Sequence, residues 1–369
     1  MTDPEPISES IERAAPSDIS ILGSCPLQYA FHKSRVGPRA PSLGSPAAEL
    51  GSIAHRVLES VVADRSLLGP ESQGALDAAW DRELDRYRER QSAAGSTSPF
   101  GPPESWSSYY LIQARLSVAA DRLKEVLEGC GNDAEFLTET PITDPDTVLW
   151  GIPDLIVRSP NLHGLVDYKT GGVFEPDSRE LRDSYRTQMH IYAYLEFKES
   201  GMWPEKWLLL SLQDGLVELE ADHKSAKDSV GAALKAVAAY NQGTPSTPPA
   251  TPSGRSCRYC SFVARCGPFW DEVEEIAAEG FAAVRGTVTR VSSTPLGGYA
   301  VDLRVPHGSH LGEKLTIRRI EPEAHPLAEQ IKVGDRVCMT HLYATGGEED
   351  NHSEWRLRTY GTLSLLESG

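Results

Sequence analysis

The chain has 369 residues, enough for two or three domains, and a net charge of −17; its hydrophobic fraction of 40% is ordinary for a globular protein. No apolar run approaches the roughly 18–20 residues needed to span a membrane. The acidic start MTDPEPISESIERAAPSD is neither a secretory signal nor a transit peptide, so the expected location is the cytoplasm. The acidity argues against wholesale wrapping of nucleic acid but leaves room for a local basic channel.

Residues 1–17 read as a disordered or loosely attached leader. A short helix is predicted from the Ser17-Asp18 cap to about Gly23. From Ala47 to Val62, Leu50, Ile53, Ala54, Val57, Leu58, Val61 and Val62 recur at helical spacing. Two further helices are expected over Ala75–Gln91 and Tyr109–Leu127, separated by the Gly/Ser/Pro-rich loop 94–105. The period then changes to that of strands over Phe136–Pro141, Val148–Arg158 and Leu162–Thr170, with a turn at Ser159–Gly164. Ser184–Glu199 reads as a helix ending at Gly201, Lys206–Leu212 and Gly215–Glu220 as a hairpin, and Lys224–Asn241 as a helix. A Pro/Thr/Ser-rich linker, Thr244–Gly254, follows. Beyond about Glu279, strands are expected over Phe281–Ser292, Gly298–Val305, Glu313–Arg319, Asp335–Ala344 and Trp355–Leu366, with one short helix at Pro326–Ile331. Five strands and one helix suggest an OB-type barrel.

Asp154 lies in the strand Val148–Arg158, and Asp167 and Lys169 in the next. Alternation puts Asp167 and Lys169 on one face. The midpoint between the two aspartates falls in the predicted turn, so a hairpin folded there brings both carboxylates together on neighbouring strands. Facing carboxylates in an apolar sheet repel unless a cation lies between them. Hard oxygen donors select Mg²⁺ or Mn²⁺. Taken singly the pieces have plain explanations. A lone D-x-K is common, His55 suits a surface pairing with Glu59 one turn on, and Gln188 and Tyr192 share a helix face that packing alone would explain.

Taken in order, His55, Gly151-x-x-Asp154, Asp167-x-Lys169 and Gln188-x-x-x-Tyr192 resemble the motif set of the RecB-like branch of the PD-(D/E)XK nucleases. Cys25 with the C-x2-C-x5-C group Cys257, Cys260 and Cys266 is similar to its iron–sulfur members, among them the CRISPR-associated RecB-like exonucleases and the AddB nuclease domain. The resemblance spans about residues 18–270. It implies an α/β (α+β) restriction-endonuclease-like core with helical insertions. It implies that His55, Asp154 and Asp167 bind the metal with the Tyr168 carbonyl, that Lys169 assists the nucleophile or stabilises charge, and that Gln188 and Tyr192 orient the site or the DNA backbone. Asp167 stands where many superfamily members carry Glu; aspartate also occurs there in this branch, so the departure is not read as inactivation.

Four thiolates fit either a [4Fe–4S] cluster or Zn²⁺. The one-plus-three split across more than two hundred residues resembles the family's cluster and favours iron–sulfur over zinc. Such a cluster would join the start and the end of the nuclease fold. Arg258, Tyr259, Phe262, Arg265 and Trp270 surround it; contact with bases or phosphates is one reading, and packing around the cluster is the favoured reading for most of the aromatics. Cys130 and Cys338 read as buried small residues. In the barrel, Arg285, Arg290, Tyr299, Arg304, Lys314, Arg318 and Arg319 are candidates for contacting single strands; a barrel that binds protein, or merely packs on the nuclease, is equally compatible.

The expected division is a leader over 1–17, a cluster-containing nuclease domain over 18–278 and an OB-like β-barrel over 279–369. The expected activity is metal-dependent DNA cleavage, exonucleolytic on single-stranded ends or flaps, in defence, repair or CRISPR-type processing. The alternatives are a DNA-binding adaptor that does not cut, or a nuclease subunit silent without a helicase. No G-x4-G-K-[ST] phosphate loop occurs, so a motor would be a separate protein, a helicase or defence-complex subunit reached through the barrel.

Overall fold

The computed structural model describes residues 9–34, 46–64, 72–93, 101–106, 108–131, 133–175, 178–244, 246–295, 297–308, 314–322, 324–344, 354–358 and 361–367. Helices α1 (Pro16–Ser24), α2 (Pro26–Lys33), α3 (Pro46–Ala63), α4 (Ser72–Ala93) and α5 (Tyr109–Glu128) come first. Strands β1 (Glu135–Thr138), β2 (Ile142–Thr143), β3 (Trp150–Gly151), β4 (Leu155–Arg158) and β5 (His163–Lys169) follow. Next are α6 (Asp183–Ser200), β6 (Lys206–Ser211), β7 (Gly215–Leu219) and α7 (His223–Gly243). Three short helices, α8 (Gly254–Cys257), α9 (Gly267–Asp271) and α10 (Val273–Ala278), precede β8 (Ala282–Ser293), β9 (Tyr299–Gly308), β10 (Leu315–Ile320), β11 (Arg336–Ala344), β12 (Glu354–Leu357) and β13 (Leu363–Glu367).

Two expected strands are each divided. Val148–Arg158 breaks into β3 and β4 because Pro153 has no N–H to give a ladder. Trp355–Leu366 breaks into β12 and β13, where Gly361 N–H closes a turn on the Arg358 carbonyl at 2.8 Å. Helix α2 has no counterpart in the sequence reading. Its Pro26 occupies the first helical turn, where a missing N–H costs nothing.

The chain forms two compact units, one of Ser8–Gly23 with Gly44–Ser246, the other of Ser24–Leu43 with Thr247–Gly369. In the first, the sheet order is β1-β4-β5-β6-β7. β4 and β5 pair antiparallel, β5 and β6 parallel, and β6 and β7 antiparallel. Helix α6 makes the crossover that a parallel pair requires. Leu50, Ile53, Val57, Leu58 and Val61 of α3 join Trp80, Leu116 and Leu123 of α4 and α5 against Leu155, Val157, Val166 and Leu208 of the sheet. Each such fully buried aliphatic side chain contributes roughly 1.5–3 kcal/mol. Ile156, Leu165 and Leu209 are buried too, so both faces of the central strands are covered, which explains their near-continuous apolar runs.

Of the expected leader, residues 1–8 lie outside the described residues. The rest is held: Ala14 N–H donates to the Val148 carbonyl at 2.8 Å, and Ala14 accepts from Trp150 N–H at 3.2 Å. The Asn241 side chain bonds both backbone groups of Ile11, at 2.7 and 3.1 Å.

In the second unit β8-β9-β10-β12-β11 closes on itself. β10 pairs parallel with β12, β12 antiparallel with β11, and β11 antiparallel with β8. β13 adds to β11. A 3-10 turn at Pro326–Glu329 lies between β10 and β11. This is the OB-like order, filled by Val288, Val301, Leu303, Ile317, Val337 and Met339.

Candidate active site

Three elements of the first unit converge on the acidic hairpin. Gly51 brings α3 close to the end of β5, since a Cβ there would lie 3.1 Å from Thr170 Oγ1. One helical turn on, His55 Nδ1 stands 3.5 Å from Asp154 Oδ1, and its ring meets Tyr168 edge-on at 5.8 Å. Asp154 lies just ahead of β4, not within a continuous strand as expected. The pairing of Leu155 with Val166 nevertheless leaves it opposite Asp167. Its other oxygen accepts from Tyr168 N–H. The Tyr168 ring is buried in the core, where burial and then the charge of Asp154 push its hydroxyl well above the usual range.

Helix α6 supplies the third side. The Gln188 amide bridges two neighbours on β5: its Oε1 accepts from Lys169 Nζ at 2.8 Å, and its Nε2 donates to Asp167 Oδ1 at 3.1 Å. Lys169 Nζ also lies 2.5 Å from Asp167 Oδ2. Gln188 Nε2 is 3.2 Å from the Tyr192 hydroxyl, which donates to the Ile152 carbonyl at 3.1 Å. Lys169 and the loop before Asp154 are therefore held through one helix face. Gly151 is required by Tyr192, because a Cβ there would fall 2.6 Å from its ring.

Burial divides the two aspartates electrostatically. It pushes Asp167 up to about 6, with Asp154 adding to the rise and Lys169 opposing it. Burial also raises Asp154, but the His55 hydrogen bond and charge, the Tyr168 N–H and Lys169 outweigh it and hold the carboxyl below its ordinary range. His55 is disfavoured as a cation by burial, yet Asp154 and Asp167 raise it above its usual value.

Two further acids stand at the site: Glu59, read from the sequence only as a surface partner of His55, and Glu139, which the sequence did not mark. Glu59 is raised by burial and by Asp154. Glu139 is pushed up to about 7 by burial and by its hydrogen bond with Asp154. Its N–H reaches the Asp154 carbonyl at 3.3 Å, and its φ of 46° is left-handed. Nothing in a Thr-Glu-Thr-Pro run marks that geometry. His55, Asp154 and Asp167 are hard or borderline donors whose surplus negative charge suits Mg²⁺ or Mn²⁺. As placed among the described residues, no three His, Cys, Asp or Glu side chains are grouped tightly enough to hold one ion.

The four expected cysteine ligands all belong to the second unit. Leu27 N–H donates to the Pro249 carbonyl at 3.2 Å, and Thr251 Oγ1 to the Ser24 carbonyl at 2.5 Å. These bonds fix Cys25 beside the segment leading to Cys257. Cys25, Cys257, Cys260 and Cys266 line one pocket with Phe31, Phe262 and Phe269. None is in a disulfide. Burial, with smaller contributions from neighbouring cysteines, pushes Cys260 up to about 12 and Cys266 to about 11. Phe262 stacks on Phe31 at 5.0 Å and Trp270 Nε1 donates to Val263 at 2.8 Å, so both pack, whereas Tyr259 is 82% exposed. Arg285, a candidate for nucleic acid, lies 4.3 Å over Trp270 and donates to the Ala264 carbonyl at 2.6 Å. Cys338 is buried in the same apolar cluster.

The fold and the converged motifs define a nuclease, and a family model of the PD-(D/E)XK nuclease superfamily matches residues 13–267. The chain belongs to that superfamily, whose members hydrolyse phosphodiester bonds. No curated protein matches it. Among the described residues no helix is long and apolar enough to cross a membrane.

Proposed function

We propose that the protein is a Mg²⁺- or Mn²⁺-dependent deoxyribonuclease acting on single-stranded ends or flaps, in DNA defence or repair. The observation that carries this reading is the Gln188 amide bridging Asp167 and Lys169 opposite Asp154. It fixes a cation beside a pair of carboxylates, as charge development on a phosphate requires. A bound divalent cation supplies phosphoryl polarisation and a water of lowered pKa. His55 orients Asp154, and Asp154 and Asp167 provide the anionic oxygens. Lys169 offers its ammonium to the phosphate or to the attacking water, and Tyr192 anchors the loop that carries Asp154.

Asp154→Asn and Asp167→Asn should each abolish cleavage of end-labelled single-stranded DNA in Mn²⁺ or Mg²⁺ while leaving the fold intact. Wild-type cutting by either variant, or undiminished cutting in EDTA, would overturn the assignment. For the cysteine pocket we propose a [4Fe–4S] cluster, supported by four unpaired cysteines around one apolar pocket. Anaerobically purified protein should contain iron and acid-labile sulfide. Zinc with neither would replace this reading by a structural zinc site.

A further inference from the structure

The barrel exterior carries a basic, aromatic surface that the cleavage site does not use. Parallel pairing of β10 with β12 sets Arg318 opposite Arg356, and antiparallel pairing of β12 with β11 sets Arg356 opposite Tyr343. Side chains directly opposite share a face, so one rung across three strands presents Arg318, Arg356 and Tyr343 together. The neighbours Ile317, Trp355 and Leu342 are buried. The Arg358 guanidinium stands 5.1 Å from the Tyr343 ring centroid.

Backbone geometry supplies a second observation. Between Ile317 and Ile320, β10 holds one residue more than β9, and Arg319 has φ 55°. Between Thr340 and Leu342, β11 holds one residue more than β8, and His341 has φ 59°. Strict alternation would send Arg318 or Arg319 inward. The bulge leaves both exposed between buried Ile317 and Ile320. Left-handed backbone at non-glycine residues is costly and concentrates at functional surfaces. Residues 280–369 also carry ten Lys and Arg against eleven Asp and Glu, so nearly all of the net negative charge belongs to the rest of the chain.

We propose that this rung is a docking surface for single-stranded nucleic acid. Arg318, Arg319 and Arg356 contact successive phosphates, and Tyr343, 36% exposed, offers a face for one base. The surface does not depend on the cleavage chemistry. The test uses the full chain in EDTA with a fluorescein-labelled oligothymidylate, read by anisotropy across a salt series. Arg318→Gln with Arg356→Gln should weaken binding and flatten the slope of log K against log salt by about 1.4, two phosphates at roughly 0.7 each. The matching pair of Lys substitutions should keep the slope. Tyr343→Leu should weaken binding about fivefold or more at every salt concentration, and Tyr343→Phe should not. The readout is binding in EDTA, so an absence of cutting would leave it unaffected. Unchanged affinity and slope in the Gln pair, equal losses in the Gln and Lys pairs, or the same losses measured against a polyglutamate peptide would each overturn the proposal, the last in favour of an acidic protein partner.

Discussion

Substitution of Gly151 by Ala tests why a glycine precedes Asp154 by three residues. The new Cβ would lie 2.6 Å from Tyr192 Cε1, 3.0 Å from Cδ1 and 3.5 Å from Leu195 Cδ1. Carbon atoms settle at about 3.5–4.0 Å, so the ring must retreat by about 1 Å. It is buried, and its hydroxyl is tethered to Ile152 and Gln188. Overpacking of this kind costs about 1–3 kcal/mol, and loss of one neutral hydrogen bond adds about 1 kcal/mol. The expected loss is therefore about 2–4 kcal/mol, which lowers Tm by roughly 4–16 °C for a unit of this size. Thermal unfolding by circular dichroism measures the loss, and cleavage should fall with it because the displaced ring releases the loop before Asp154. In a Tyr192→Leu background the same substitution should cost about 1 kcal/mol less, or better. A normal Tm for Gly151→Ala, or the same cost in both backgrounds, would refute the steric account.

Lys169→Met should reduce cleavage at least about a hundredfold, the scale of a lost charge-stabilising donor, while DNA affinity measured in EDTA falls far less; equal losses in both would assign the lysine to binding. Glu196 is fully buried and accepts from Arg158 at 2.8 and 3.0 Å and from His163 at 2.8 Å. Glu196→Ala should cost about 3 kcal/mol in urea unfolding, since it strands two partners, and a cost under about 1 kcal/mol would contradict that. His325 is 4% exposed and depressed to about 4 by burial. Its neutral form is favoured in the fold, so the associated stability is complete above pH 6.5 and lost as pH falls towards 4, by up to about 3 kcal/mol. Barrel unfolding followed against pH should show this loss, and His325→Gln should remove it. Cys25→Ser should deplete bound iron and expose the barrel unit to limited proteolysis while the unit containing Asp154 keeps its melting transition; collapse of both would tie the cysteines to the nuclease core instead.

Periodic burial made most of the fold legible. The α3 stripe from Leu50 to Val62 and the strand runs of β5 and β6 are long enough for burial to dictate spacing, and the structure reproduces them within a few residues. The junctions were less visible. Pro153 ended a strand that the apolar pattern continued through, and the bulges at Arg319 and His341 left no compositional trace. At the candidate site, ordered motifs named the residues that converge, but not the direction of their bonds. The Gln188 bridge needs a helix and a strand brought together by a crossover. Glu139 escaped because its backbone conformation, not its sequence neighbours, aims it at Asp154.

The alternation of the two units along the chain sets a timetable for synthesis. Cys25 leaves the ribosome 232 residues before Cys257. At about 5–20 residues per second this is a wait of roughly 12–46 s. Everything from Gly44 to Ser246, a unit complete in itself apart from α1 and the strand-like segment before it, emerges during that interval. Cys25, the residue that precedes α2, must wait while the unit containing Asp154 folds. The unit containing Asp154 is thus complete first, and the unit bearing the four thiols and the barrel is completed last.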